Sequence, residues 1–196
     1  MAERIDPLNQ SIDDLAMVDD DGTEDVISDI FHGLRVHKLH DDVPDIEYGT
    51  QSAACFDLRA YFHQETITIY DQFNLKTIVE GYERVALQPR ERALIPTGMI
   101  LDIPMGYSVR LHPRSGLAVK FGINLINCEG VVDSDYTNQL YVPLYNSTEE
   151  DFEIIHGDRI AQAEIVPVYI PTIEYIDDAP GQKGDRTGGF GSTGHK

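Results

Sequence analysis

Residues 92–103 read Arg92-Ala93-Leu94-Ile95-Pro96-Thr97-Gly98-Met99-Ile100-Leu101-Asp102-Ile103, two short apolar runs parted by Pro-Thr-Gly. Proline fixes φ and glycine reaches the left-handed region, so the break is a turn. Each flanking run has strand length rather than helix length. The same texture extends both ways along the chain. Leu34–Leu39 and Thr66–Tyr70 alternate polar with apolar, and Tyr107–His112, Val119–Ile126, Gln139–Tyr145 and Ile160–Ile170 are further runs of this kind. Many short strands separated by turns predict an all-β sandwich or barrel. Pro143 and Pro167 cannot donate to a ladder and are expected at edges or bulges.

Composition agrees. The 196 residues suit one domain of ordinary size, and 41% hydrophobic content argues against wholesale disorder. A formal net charge of −19 repels nucleic acid and anionic membrane surfaces. It leaves room for a small polyphosphate, provided that a few arginines and a metal ion reverse the potential locally. Cys55 and Cys128 lie in apolar settings without metal-ligand spacing and are expected as reduced core thiols. No stretch approaches the roughly 18 consecutive apolar residues of a membrane span. The beginning of the sequence is acidic where a targeting peptide would be basic, which points to the cytoplasm, or to a host's cytoplasm for a viral protein.

Three regions differ in character. Met1–Ile30 carries ten acidic residues against one arginine, so residues 1–33 are expected as a solvated, flexible extension. Within it Val26, Ile27, Ile30, Phe31 and Leu34 recur at helical spacing, which predicts a short amphipathic helix. Residues 34–176 form the β domain. From 177 to 196 the chain turns polar and Gly-rich and is expected as a flexible arm that orders over a ligand.

Candidate chemistry sits in short segments. Pro113-Arg114-Ser115-Gly116-Leu117-Ala118 combines a guanidinium fork, a hydroxyl and a glycine, the parts of a phosphate cradle. Alone, Arg-Ser-Gly is also an ordinary surface turn. Asn127–Tyr136 (Asn-Cys-Glu-Gly-Val-Val-Asp-Ser-Asp-Tyr) followed by a return strand reads as a β-hairpin with polar groups at its mouth. An aspartate beside an apolar pair suits a general base for water, although Asp-Ser-Asp is equally common turn chemistry. Gly157–Gln162 opens a strand with an Arg and a Gln able to donate to phosphate. The Gly-rich end fails the P-loop spacing, with no strand before it and no helix after it.

In this order the segments resemble the five motifs of the trimeric dUTPase family: Ser52–Ala60, Pro113–Ala118, Asn127–Tyr136, Gly157–Gln162 and Arg186–Gly194. The resemblance runs from about Leu34 to Gly194 and rests on the joint order of the motifs. It implies a jelly-roll-like β-barrel (the dUTPase β-clip), a homotrimer with sites shared between subunits, and hydrolysis of dUTP to dUMP and pyrophosphate. That activity keeps uracil out of DNA and supplies dUMP for dTMP synthesis. Asp133 would activate the attacking water, and Asp57 would reach a triphosphate-bound Mg²⁺ through water. Arg114, Ser115, Gly116 and Gln162 would bind the triphosphate. Asn127 and the main chain from Gly130, Val131 and Val132 to Tyr141 would read uracil. Tyr136 would pack beneath deoxyribose and reject a 2′-hydroxyl. Phe190 would stack on the base, with Arg186, Gly191, Ser192 and Thr193 closing over the phosphates. Arg159 would support the strand end or the trimer.

The sequence also departs from the family. Cys55-Phe56 replaces the usual Gly-Tyr, Thr137-Asn138 replaces the Arg-Gly after the motif tyrosine, and Arg186 stands one residue closer to Gly188-Gly189 than usual. Between Ala60 and Gln88 the chain carries about fifteen extra residues, an insertion over about 62–86 expected as a hairpin or lobe. With the acidic extension, this insertion is where a protein partner would dock. Such additions are common in viral members and fit a phage origin. A dCTP deaminase on the same fold is the nearest alternative, and Glu129 would be its only hairpin glutamate.

Overall fold

The computed structural model describes residues 33–63 and 65–185. The expected amphipathic helix, Arg186, Phe190, Gly191, Ser192 and Thr193 lie outside the described residues. Among those described, thirteen strands and one short helix are present. One sheet has the order β4 (Lys76–Glu80), β3 (Thr66–Tyr70), β6 (Arg92–Pro96), β11 (Tyr141–Asn146) and β9 (Ile123–Leu125). A second has the order β10 (Gly130–Asp133), β8 (Tyr107–His112), β13 (Arg159–Pro167) and β2 (Phe56–Arg59). Two smaller sheets pair β1 (Arg35–Lys38) with β7 (Met99–Asp102), and β12 (Phe152–Ile155) with β5 (Arg84–Leu87). All pairings are antiparallel.

The two large sheets bury alternate residues in one core, as period-two strands require. Phe56, Leu58, Val109, Leu111, Val132, Ala161 and Ala163 come from the four-stranded sheet. Ile67, Ile69, Ala93, Ile95, Ile123, Val142 and Leu144 meet them from the five-stranded one, and Leu101, Val85, Leu87 and Ile154 add the small sheets to the same cluster. This is the jelly-roll-like all-β architecture that the sequence predicts.

The Pro96-Thr97-Gly98 turn does more than reverse the chain. Gly98 has φ +70, and a Cβ there would lie 2.7 Å from Val43 Cγ2 and 2.9 Å from the Tyr61 ring, so no side chain fits. Thr97 is fully buried, and its Oγ1 donates to the Leu140 carbonyl at 2.8 Å. The turn is therefore pinned to the segment just before β11. At the other end of β11, Asn146 is also fully buried. Its amide donates to the Leu87 and Glu150 carbonyls, and its oxygen accepts from the Thr148 N–H and hydroxyl.

Several local expectations are corrected. The run Val119–Ile126 is not one strand. Ser115–Phe121 forms a helix, α1, which Gly122 ends in the left-handed region at φ 63, and only Ile123–Leu125 is extended. Pro143 and Pro167 lie in interior strands, each at a point where pairing on one side stops. Pro143 O accepts from Ile126 N one residue past β9, so the missing N–H faces the end of that ladder. Pro167 pairs with Tyr107 beyond the last pairing of β13 with β2. Cys128 is exposed with φ 64, not in the core, while Cys55 is half-buried with its thiol pKa raised by burial.

The extra segment is a hairpin, β3–β4, built onto the β6 edge of the five-stranded sheet rather than a separate lobe. Ile67 and Ile69 enter the core, whereas Phe73, Leu75 and Ile78 stay exposed. Beyond Pro167 the described chain to Asp185 has no regular structure and is largely exposed. No helix among the described residues is long and apolar enough to cross a membrane.

Candidate active site

Asn127–Asn146 is not a paired hairpin. β10 pairs with β8 in one sheet, while β11 pairs with β6 and β9 in the other. Between the parting strands lies a pocket of about 200 Å³, lined by Leu111, Gly130, Val131, Val132, Asp133, Tyr136, Leu140 and Tyr141. Ligand pockets for larger molecules begin at about 300 Å³, so this one suits a single planar ring. Its floor is shaped by close approach: a Cβ on Gly130 would lie 2.9 Å from the Leu111 side chain. Tyr136 is held at the rim by its own turn, its N–H donating to Asp133 O at 3.1 Å and its hydroxyl to Gln139 O at 2.8 Å. The Tyr141 hydroxyl pKa is raised by burial first, then by the charge of Glu65. Asn127 is exposed in the turn before β10 and is not among the pocket walls. Leu111 and Leu140, which carry no motif signal, are.

The second group of candidates clusters around Asp57. Arg114 Nε lies 3.1 Å from one carboxylate oxygen and Arg159 Nη1 3.0 Å from the other. Arg114 Nη1 also donates to Arg159 O at 3.0 Å, and Gln162 Nε2 donates to Pro113 O at 3.1 Å. Ser115 and Gly116 open α1, whose first turn has no side-chain cap and no acidic residue. A Cβ added at Gly116 would meet nothing within 4 Å, so packing does not demand glycine there. What the loop offers is a guanidinium, a hydroxyl and open backbone. Asp57, Arg114, Ser115, Gly116 and Gln162 are thus brought together, with Arg159 as an added member.

The two groups share one sheet but not one place. Asp133 pairs with Ser108 on β8, whereas Asp57 and His112 both pair with Gln162. From Ser108 to His112 the strand rises about 13 Å, and from β10 to β2 the sheet crosses about 14 Å, so the two aspartates lie on the order of 20 Å apart in one chain. The face between them carries a chain of polar contacts. Glu129 sits 3.6 Å from Arg110 and 3.8 Å from His112, and His112 Nε2 lies 3.1 Å from Glu164. Glu129, the hairpin glutamate that a deaminase would use, is not among the pocket walls. A larger hollow, about 490 Å³, opens at the base of the β3–β4 hairpin beside Glu65 and Glu80. Its carboxylates carry the wrong sign for a triphosphate.

Known proteins resemble most of this chain. A family model described as dUTPase matches residues 79–194. Over 161 residues the chain is 37% identical to the deoxyuridine 5'-triphosphate nucleotidohydrolase of Finegoldia magna, covering 82% of this chain and 96% of that protein. The Caulobacter vibrioides protein of the same name is 41% identical over 154 residues, 78% of this chain and 87% of the relative. Among solved structures, the dUTPase of Staphylococcus bacteriophage 80alpha with dUPNHPP superposes with TM-score 0.67 at 23% identity, covering 84% of this chain and 99% of that one. The phage phi11 dUTPase from S. aureus, described with a species-specific insert, gives 0.60 at 21% identity over 75% and 97% of the two chains. The family match and the Finegoldia relative decide the matter: this chain belongs to the dUTPase family.

Proposed function

We propose that this protein hydrolyses dUTP to dUMP and pyrophosphate in a homotrimer whose sites combine residues from different copies of the chain. The observation that carries the reading is the one-ring pocket whose rim bears Asp133 and Tyr136. The names of the curated relatives and the nucleotide analogue in the phage 80alpha structure support the same substrate. An order-of-20-Å separation of the two aspartates supports a shared site, because no single copy could bring both to one phosphate.

The roles follow from how each side chain is held. Asp133 has no cationic partner among the described residues, so it is free to take a proton from water. That water attacks the α-phosphorus, the bond from the α-phosphorus to the bridging oxygen breaks, and pyrophosphate leaves. Asp57, clamped by two guanidinium groups, is unsuited to that task and instead positions Arg114. Arg114, Ser115, Gly116 and Gln162 would bind the triphosphate, where fixed positive charge meets developing negative charge. Uracil would lie against the main chain of Gly130, Val131 and Val132, with Tyr141 behind it, Asn127 at the rim and Tyr136 beneath the sugar. Phe190 would cover the base from the C-terminal arm, with Arg186, Gly191, Ser192 and Thr193 over the phosphates.

Mg²⁺ fits as a companion of the substrate. Both Asp57 oxygens are engaged and no trio of metal-ligating side chains converges among the described residues, so direct coordination by the protein is disfavoured. Mg²⁺ characteristically keeps several waters and binds one or two carboxylates plus substrate phosphates, which leaves Asp57 a water-mediated role. Bound there, the ion neutralises the phosphates and fixes their geometry. With Mg²⁺ present, pyrophosphate release should be far faster from dUTP than from dTTP, dCTP or UTP. Comparable rates for these nucleotides, or ammonia released from dCTP, would overturn the assignment. The exposed Phe73, Leu75 and Ile78 of the added hairpin, with the acidic residues 1–33, are where a protein partner would bind.

A further inference from the structure

Glu65 lies in the extra segment, outside every family motif, yet it is linked through Gln139 to Tyr136 at the rim of the Asp133 pocket. Its carboxylate is only 15% exposed and accepts a hydrogen bond from Gln139 Nε2 at 2.8 Å, across 74 positions of sequence. His40 Nε2 is 4.0 Å from the same carboxylate oxygen. The main-chain carbonyl of Gln139 in turn accepts from the Tyr136 hydroxyl at 2.8 Å. Glu65 is itself fixed at both backbone groups, its N–H donating to Phe62 O at 3.1 Å and its carbonyl accepting from Gly81 N at 2.8 Å. Gly81 cannot be replaced there, because a Cβ would lie 2.7 Å from Phe62 O and 2.8 Å from Ile67 Cδ1. The base of the added hairpin is therefore rigid, and so is the carboxylate it presents.

We propose that Glu65 is a positioning residue for dUTP selection, holding Gln139 so that Tyr136 stays beneath the sugar. A hydrogen bond to a charged, largely buried acceptor is among the stronger ones, and breaking it unties the Gln139 side chain and with it an anchor of the main chain that follows Tyr136. The Tyr136 hydroxyl keeps the Gln139 main-chain carbonyl as its acceptor, but that carbonyl is held less firmly, and the platform that separates deoxyribose from ribose loosens. The added hairpin is thereby coupled to nucleotide choice without touching the nucleotide. This rests on the proposed dUTPase activity.

The test compares Glu65→Ala, Glu65→Gln, Gln139→Ala and the Glu65→Ala/Gln139→Ala pair with the unaltered protein on dUTP and UTP. Glu65→Ala should raise KM for dUTP about tenfold, lower the preference for dUTP over UTP, and leave kcat within about twofold. Glu65→Gln keeps an oxygen acceptor for Gln139 and should restore most of the loss. The double variant should be no worse than either single one, since both break the same link. Hydrogen exchange over 133–141 should rise in Glu65→Ala and return in Glu65→Gln. Loss of kcat or of thermal stability with an unchanged KM and unchanged dUTP preference would overturn the inference, as would additive effects in the pair. If the unaltered protein does not turn over dUTP, the proposed function falls, and an unchanged exchange profile in Glu65→Ala would separately remove the coupling.

Discussion

Asp57 and Asp133 have the same side chain and opposite surroundings. Two arginines fasten the first, whereas the second faces its pocket with no cation paired to it among the described residues. The environment thus separates a residue that organises positive charge from one that can accept a proton. Asp133→Asn removes the proton acceptor while keeping size and polarity, so turnover should fall by about 10³-fold. Binding of a non-hydrolysable dUTP analogue, measured by calorimetry, should change little. Near-normal turnover would remove Asp133 from its role. As candidates, both aspartates, Arg114 and Gln162 stand in quotable motifs. Glu65 was not legible, because its partner Gln139 is remote in sequence and neither residue belongs to a recurring pattern.

Among the elements, strand β11 depends on a single buried amide. Asn146 satisfies both of its donors and accepts twice, tying the end of β11 to β5 and to the turn before β12. Asn146→Ala takes the amide donor from the Leu87 carbonyl and the acceptor from the Thr148 N–H, and should destabilise the fold by about 3 kcal/mol, which thermal unfolding would register as a drop of roughly 10 °C. A second element-level effect concerns the loop after β2. His156 Nδ1 accepts the Phe62 N–H at 3.1 Å, and burial, then the neighbouring His63, holds the His156 pKa below its ordinary value. Asp42 is lowered to about 2 by hydrogen bonds from Tyr61 and His63. Both groups bind fewer protons folded than unfolded. The His156 share of stability is therefore full above roughly pH 6.5 and declines as pH falls below it, with the Asp42 share following between about 3.8 and about 2. Melting should be highest above pH 7 and lower at pH 5.5. His156→Gln, which keeps an acceptor that does not titrate near neutrality, should flatten the first step. Most strands were readable from alternation because each buries one face. Helix α1 was not: it has no buried residue and so shows no apolar stripe, and its Val119 and Phe121 read as strand formers. The parting of β10 and β11 into different sheets was equally invisible, since pairing partners are set by distant strands.

At the scale of the whole molecule, a net charge of −19 is reconciled with an anionic substrate by gathering Arg114 and Arg159 around one carboxylate. Sequence order disclosed the family, yet it could not show where the two halves of the site lie relative to each other. Their placement at opposite corners of one sheet has a genetic consequence. On the proposed roles, a chain lacking Asp133 would keep its cradle, and a chain lacking Arg114 would keep its base. Neither variant should work alone. Denatured together in equal amounts and refolded, Asp133→Asn and Arg114→Ala chains should recover about a quarter of the sites, each assembled from the intact half of two different chains. Silence from the mixed sample, with both variants still assembling, would mean that each copy works alone. With recovery, two loss-of-function alleles would complement each other, and a single defective allele would damage sites belonging to its healthy neighbours.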